Sequence, residues 1–194
     1  MDFSKALVSD EVRVQCAAAC FLRARGADGA RYLPELLRRC QNVAITYPDL
    51  PPAEQMLVAF GARTLGTICN AVGFDAADAI HVAIKDWLIQ LATNRHVEIA
   101  GTAIYGLGDL GVPPVEVRDK LEDLVQGARR PDDLDIITCR GTAFRMLAKL
   151  DRDTASRYIG FPACDEYLFA VRNWLESRPV DHALLGEIQW LHIR

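Results

Sequence analysis

The sequence predicts an all-α, single-domain fold of four helix–turn–helix units, and three observations predict it. One pattern of small and large apolar residues starts at Val12, Val58, Val97 and Ile137, so successive copies lie 46, 39 and 40 residues apart. Self-similarity at such a period marks stacked supersecondary units. Each of the first three copies is followed by a second amphipathic segment whose apolar residues recur at spacings of three and four, the periodicity of a helix with one buried face. Finally, 194 residues of which 51% are hydrophobic can bury one sizeable core, and no run of about 18 apolar residues interrupts the pattern.

The first unit, residues 10–41, opens with VRVQCAAACFLRARG (Val12–Gly26) and continues in ARYLPELLRRC. The second, 53–92, has the loosest first copy, VAFGARTLGTICNAVG, followed by AADAIHVAIKDWLIQLA. In the third, 95–128, VEIAGTAIYGLGDLG (Val97–Gly111) sets Gly101 on Cys16, Ala103 on Ala18 and Leu107 on Leu22, and PVEVRDKLEDLVQGA follows. The fourth, 132–177, aligns Gly141, Ala143, Phe144, Leu147 and Leu150 with Gly101, Ala103, Ile104, Leu107 and Leu110, then passes through a long irregular connection, DRDTASRYIGFPACDE. A capping segment, 179–194, with a helix at about 181–191, is expected to close the core with Trp174 and Trp190.

Gly106, Gly108 and Gly111 have the spacing G-x-G-x-x-G. A dinucleotide fingerprint requires a strand before these glycines and a helix starting on them, whereas residues 96–105 carry helical periodicity. Gly111 therefore reads as a helix C-terminal cap ahead of Pro113 and Pro114, and Gly101, Gly106 and Gly108 as close-packing positions between helices. No cofactor is expected.

The pattern V-x-x-x-[small]-x-[small]…L-G…L-x-x-L over residues 10–177 resembles the HEAT-repeat family. The resemblance implies a short right-handed α-solenoid of about four HEAT-like helix pairs, in which first and second helices form two layers and second helices line the concave side. It departs from the family in the irregular fourth unit and in the second, which lacks the V-R/V-E opening.

Charge narrows the function. The net charge is −4, with four lysines among 22 basic residues. Residues 41–94 carry two basic and five acidic side chains, and residues 109–135 four basic and eight acidic. An acidic centre disfavours a phosphate backbone, whose binding needs clustered positive charge. The six cysteines are spread along the chain among apolar neighbours, as free thiols rather than a disulfide framework. Cys16 and Cys20 lack a second Cys or His pair that would complete a zinc site. His81, His96, His182 and His192 include no His-Glu dipeptide of the kind that binds iron in deoxyhypusine hydroxylase, an enzymatic branch of the family. No G-x-S-x-G elbow is present, and Ser4, Ser9, Ser156 and Ser177 sit where capping accounts for them. The start MDFSKALVSDEVRVQ lacks signal-peptide character, so a soluble, cytoplasmic protein is expected.

Glu116, Asp119, Lys120 and Asp123 share one solvent face of the third unit's second helix, and Asp75, Asp78 and Asp86 come from the second unit. If second helices line the concave side, Asp78, Asp86, Glu116, Asp119 and Asp123 form an acidic groove. Tyr47, in the proline-rich loop 41–55, is the expected rim anchor, the alternative being a spacer loop in which it packs over a helix end. The leading expectation is a non-enzymatic protein-binding module, an immunity or adaptor protein engaging a basic protein partner. One alternative is nucleic-acid binding or base repair, with Arg23, Arg25, Arg31, Arg38 and Arg39 as a local positive patch. Another is a helper resembling phycobilin lyases.

Overall fold

A computed structural model describes residues 2–46, 50–94, 96–111, 115–127 and 136–177, and among them the regular elements are all helical. The α-helices are α1 (Phe3–Leu7), α2 (Val12–Arg25), α3 (Leu33–Thr46), α4 (Pro52–Val72), α5 (Ala79–Leu91), α6 (Val97–Gly108), α7 (Val115–Gln126), α8 (Ile136–Leu150), α9 (Arg152–Ser156) and α10 (Pro162–Ser177), with a 3-10 segment, Gly26–Tyr32, leading into α3. The chain divides into two compact units, Met1–Lys120 and Leu121–Arg194.

In the first unit α4 is the central helix, flanked by α2 and α6, while α3 packs on α4, and α5 on both α4 and α6. Leu22, Leu57, Leu65, Ile68, Ile99, Ile104 and Leu107 are fully buried between these helices, and each such side chain removed from water contributes about 1.5–3 kcal/mol. The Thr64 hydroxyl, also buried, donates to the Ala19 carbonyl at 3.1 Å and ties α4 to α2.

The closest approach is between α4 and α6. A Cβ on Gly106 would stand 2.7 Å from the Ala62 carbonyl oxygen and 3.1 Å from Leu88 Cδ2, and one on Gly66 would collide with the Gly106 backbone. The aligned glycine Gly101 has nothing within 4 Å of that position. Of the three glycines expected to be close-packing positions, Gly106 fills the role, Gly101 does not, and Gly108 is buried at the end of α6. Gly106 lies on the α4-facing side of α6, and Gly101, five residues earlier, is carried to another side by the 3.6-residue turn.

Several expected boundaries shift. The first and third copies begin where α2 and α6 begin, but α4 starts at Pro52, six residues before the aligned Val58, and α8 at Ile136. The expected loop 41–55 is largely helical, since α3 runs to Thr46 and α4 starts at Pro52. Proline at the first helical position has no N–H to leave unpaired, so the proline cluster starts a helix as readily as it breaks one. Tyr47, Pro113, Pro114, Trp190 and the expected capping helix at 181–191 lie outside the described residues. Residue Asp109, not Gly111, caps α6; Gly111 carries the left-handed turn after it, at φ 91°. No strand precedes Gly106, which sits inside α6.

In the second unit, α8 packs on α9 and α10. The Gly141 backbone lets α10 approach, since a Cβ there would be 3.0 Å from the Tyr167 amide nitrogen, and Phe144 and Tyr167 pack with ring centroids 5.8 Å apart. The connection read as irregular contains α9, whose start is fixed by Asp151: its carboxylate accepts from the Thr154 amide at 3.0 Å and hydroxyl at 2.9 Å. Aspartates rather than serines cap the helix starts, Asp2 on α1, Asp78 on α5 and Asp151 on α9. Tyr158 donates to Glu122 Oε2 at 2.7 Å and accepts from Gln126 Nε2 at 2.7 Å, which joins the end of α7 to the α9–α10 turn.

Two glycine substitutions test this packing. Gly106→Ala gains helix propensity but forces a methyl against backbone and is expected to destabilise by about 1–3 kcal/mol net. Gly101→Ala, with open space, is expected to stabilise by about 0.5–1 kcal/mol. Urea unfolding followed by circular dichroism checks both; equal effects would contradict the assigned contact.

Candidate functional site

Within the first unit, α5 and α7 bring together part of the expected acidic group. The buried stripe of α5 is His81, Ile84, Lys85, Trp87, Leu88 and Leu91, so Lys85 sits on the core side with only 11% of its side chain exposed. Its ammonium reaches out between two carboxylates, 3.2 Å from Asp86 Oδ1 and 3.5 Å from Glu116 Oε1. Those acids are themselves 57% and 62% exposed. Burial works against the charged amine, but the hydrogen bonds and charges of Asp86 and Glu116 outweigh it and hold the Lys85 amine above its ordinary value.

The remaining acidic positions differ in role. Asp78 is exposed, but its carboxylate accepts from the Ile80 amide at 2.8 Å as the α5 cap. Asp75 accepts from the Ala77 amide at 2.8 Å, and its own amide donates to His81 Nδ1 at 3.0 Å. His81 is buried and stacked on Phe74, as a packed helix histidine. Asp119 is exposed on α7. Asp123 is exposed on the same helix, in the part that belongs to the second unit. Lys85 was absent from the expected site, although His81, Lys85 and Leu88 fall at helical spacing on one stripe, which is the signal that would have placed it inward.

The arginines of the N-terminal patch do not present their charges uniformly. Arg25 lies 3.8 Å from Asp28, Arg38 pairs with Glu35 at 3.2 Å, and the Arg31 guanidinium covers the Tyr32 ring at 4.8 Å. Arg39 differs, because its Nε donates at 2.7 Å to Gln15 Oε1, a neutral partner.

A cavity of about 490 Å³ in the second unit is lined by Gln126, Gly127, Arg140, Phe161, Asp165 and Glu166, among others. Its base is a buried ion pair, Arg140 with Glu166, in which Arg140 Nε donates to Glu166 Oε2 at 3.3 Å, Nη2 bonds Oε1, and Nη1 donates to the Gly127 carbonyl at 3.0 Å. Sequence reasoning missed this pair. Arg140, Phe144 and Leu147 share one helical stripe, so the arginine stood in core register.

All six cysteines are free; Cys16 and Cys20 are half-buried and the other four buried. Burial pushes the Cys40 and Cys69 thiols up to about 12. Among the described residues no group of three or more His, Cys, Asp or Glu could hold a metal ion, and no helix is long and apolar enough to cross a membrane. In comparisons with known proteins, the chain matches no family model, no curated protein and no solved structure.

Three expectations follow. Glu116→Lys places a second ammonium beside Lys85, which keeps Asp86 as its partner, and with Glu116 62% exposed it should cost up to about 1 kcal/mol, whereas Asp119→Lys should stay within about 0.5 kcal/mol. Because the Lys85 pKa is raised on folding, its stabilising contribution is fully present below the unfolded value of about 10.4 and is lost as pH rises through the folded value. Urea titrations of wild type and Glu116→Gln between neutral and strongly alkaline pH should therefore converge at the alkaline end. In the native protein at pH 8, a thiol reagent should modify Cys16 and Cys20 first, the other four reacting only on addition of denaturant; mass mapping of labelled peptides reads the order.

Proposed function

We propose that the protein is a non-enzymatic protein-binding module of the immunity or adaptor kind, whose acidic face engages a basic protein partner. In this reading the helix pairs α2/α3, α4/α5, α6/α7 and α8/α10 form a short right-handed solenoid resembling HEAT repeats, with α3, α5 and α7 lining the side presented to the partner. The observation that carries the proposal is Lys85. A nearly buried ammonium fixes two exposed carboxylates, Asp86 and Glu116, in place before any partner arrives, and Asp119 extends the negative surface on the same helix. Preorganised carboxylates lose less side-chain entropy on meeting an arginine or lysine than freely rotating ones, and complementary charge accelerates encounter and excludes partners of the wrong sign.

The nucleic-acid alternative draws less support. Two of the five arginines available for it, Arg25 and Arg38, are matched by carboxylates, and the other three are a small cluster for a phosphate backbone on a chain of net charge −4.

The same geometry dictates how the reading is tested. Reversing Asp86 or Glu116 would disturb Lys85, and changing Asp78 would uncap α5, so neither isolates the surface. Asp119→Lys combined with Asp123→Lys alters α7's exposed face alone, and Asp28→Lys with Asp153→Lys serves as the control. Wild type and both double variants are used as bait against lysate of the native host, with captured proteins quantified. Loss of a basic protein from the Asp119/Asp123 bait alone supports the reading; equal capture by all three baits overturns it.

A further inference from the structure

At the N-terminal end of the first unit, a polar cavity of about 310 Å³ is lined by Val8, Ser9, Asp10, Arg38, Arg39 and Asn42. That volume is at the small end of ligand pockets, the size of a single small molecule. It is lined by two cations, one anion and an apolar wall, Val8, which is 57% exposed. Glu35, outside the lining, pairs with Arg38 at 3.2 Å and offsets one of the cations. The local charge is thus balanced, with its positive and negative parts on different residues.

The position of Arg39 is fixed from behind. Gln15 is 1% exposed and uses both ends of its amide: Nε2 donates to the Ser9 carbonyl, and Oε1 accepts from Arg39 Nε at 2.7 Å. Burying a glutamine is costly unless its polar atoms are satisfied, and here satisfying them locks the Ser9 backbone and the Arg39 guanidinium together. Bonding through Nε leaves the end-on fork of Nη1 and Nη2, which matches the two oxygens of a carboxylate. Because Gln15 is neutral, that bond leaves the guanidinium charge uncancelled. The Ser9 oxygen is also oriented, since it accepts from the Glu11 amide at 3.2 Å, so its O–H is directed elsewhere.

From this arrangement we infer a binding site for a small zwitterion of the α-amino acid type, with its carboxylate on the Arg39 fork, its ammonium on Asp10 and a short aliphatic side chain against Val8. A net-neutral ligand with separated charges suits a net-neutral site whose charges are separated in the same way, while a simple anion would face Asp10 and a simple cation would face Arg39. The site shares no residue with the acidic face and stands or falls independently of it.

The test uses L-valine and its two halves, isovalerate, which lacks the ammonium, and isobutylamine, which lacks the carboxylate, with inorganic phosphate as a fourth probe. The full-length protein is titrated with each while the arginine Nε–Hε resonances are followed by NMR, with Arg39 assigned from an Arg39→Lys sample. Saturable displacement of the Arg39 signal by L-valine is expected at concentrations where isobutylamine is silent and isovalerate roughly tenfold weaker. Asp10→Asn, an exposed change, should bring L-valine and isovalerate to equal affinity, and Arg39→Lys should abolish saturation while the helical circular dichroism spectrum is retained, with a lowered thermal midpoint because buried Gln15 loses its donor. A linear, unsaturable response to L-valine overturns the site, as does equal response to isovalerate in the wild type or a preference for phosphate over all three organic probes.

Discussion

The first unit depends on one backbone-to-backbone contact, the crossing of α4 and α6 at Gly66 and Gly106. No side chain separates the helices at that point, and the buried leucines and isoleucines on either side interdigitate at the spacing the crossing sets. Because α4 also carries α2 on its other flank and receives α3 and α5, an outward displacement at the glycines would loosen several layers together. Small-residue crossings have this property generally: close packing transmits a change of a few tenths of an ångström instead of absorbing it.

Ordered packing also positions polar groups within each unit. Three buried or nearly buried side chains hold five polar groups: Lys85 holds Asp86 and Glu116, Gln15 holds Arg39, and Arg140 holds the Gly127 carbonyl and Glu166. In each case a long side chain starts from the buried side of its helix and uses its polar end to fix a group that is more exposed than itself. Long polar side chains bury their stems and keep their heads hydrated in this way. Candidate binding groups therefore occur where the core ends, and their geometry inherits the order of the core.

Much of the fold could be read from the sequence because helical periodicity and small-residue spacing are local properties. The starts of α2 and α6 fell where the repeat placed them, and the stretch around the glycine triplet is helical, as its periodicity indicated. What escaped the reading was set by tertiary partners. The self-alignment matched Gly101, not Gly106, to small residues of other copies, yet the neighbours across the interface make Gly106 the close-packed position. Lys85, Gln15 and Arg140 were passed over for a related reason, since a polar residue on an apolar stripe is informative only once its partner, far along the chain, is known. The acidic residues were visible as exposed, but the sequence could not separate Asp78, occupied as a helix cap, from Asp119, which faces solvent. Loop 41–55 failed in the opposite direction, because prolines that suggest a break were in fact a helix start.

The packing of Cys40 on Gly61 carries a consequence for how this chain is free to vary. The Cys40 sulfur occupies the space that a Cβ at position 61 would take, with Leu36 Cδ1 3.8 Å from the same point. Positions 40 and 61 therefore share one fixed allotment of volume across the α3–α4 boundary. A methyl gained at 61 is admissible only where the sulfur at 40 gives way, by a change of rotamer or of residue, so what one position tolerates is set by what stands at the other.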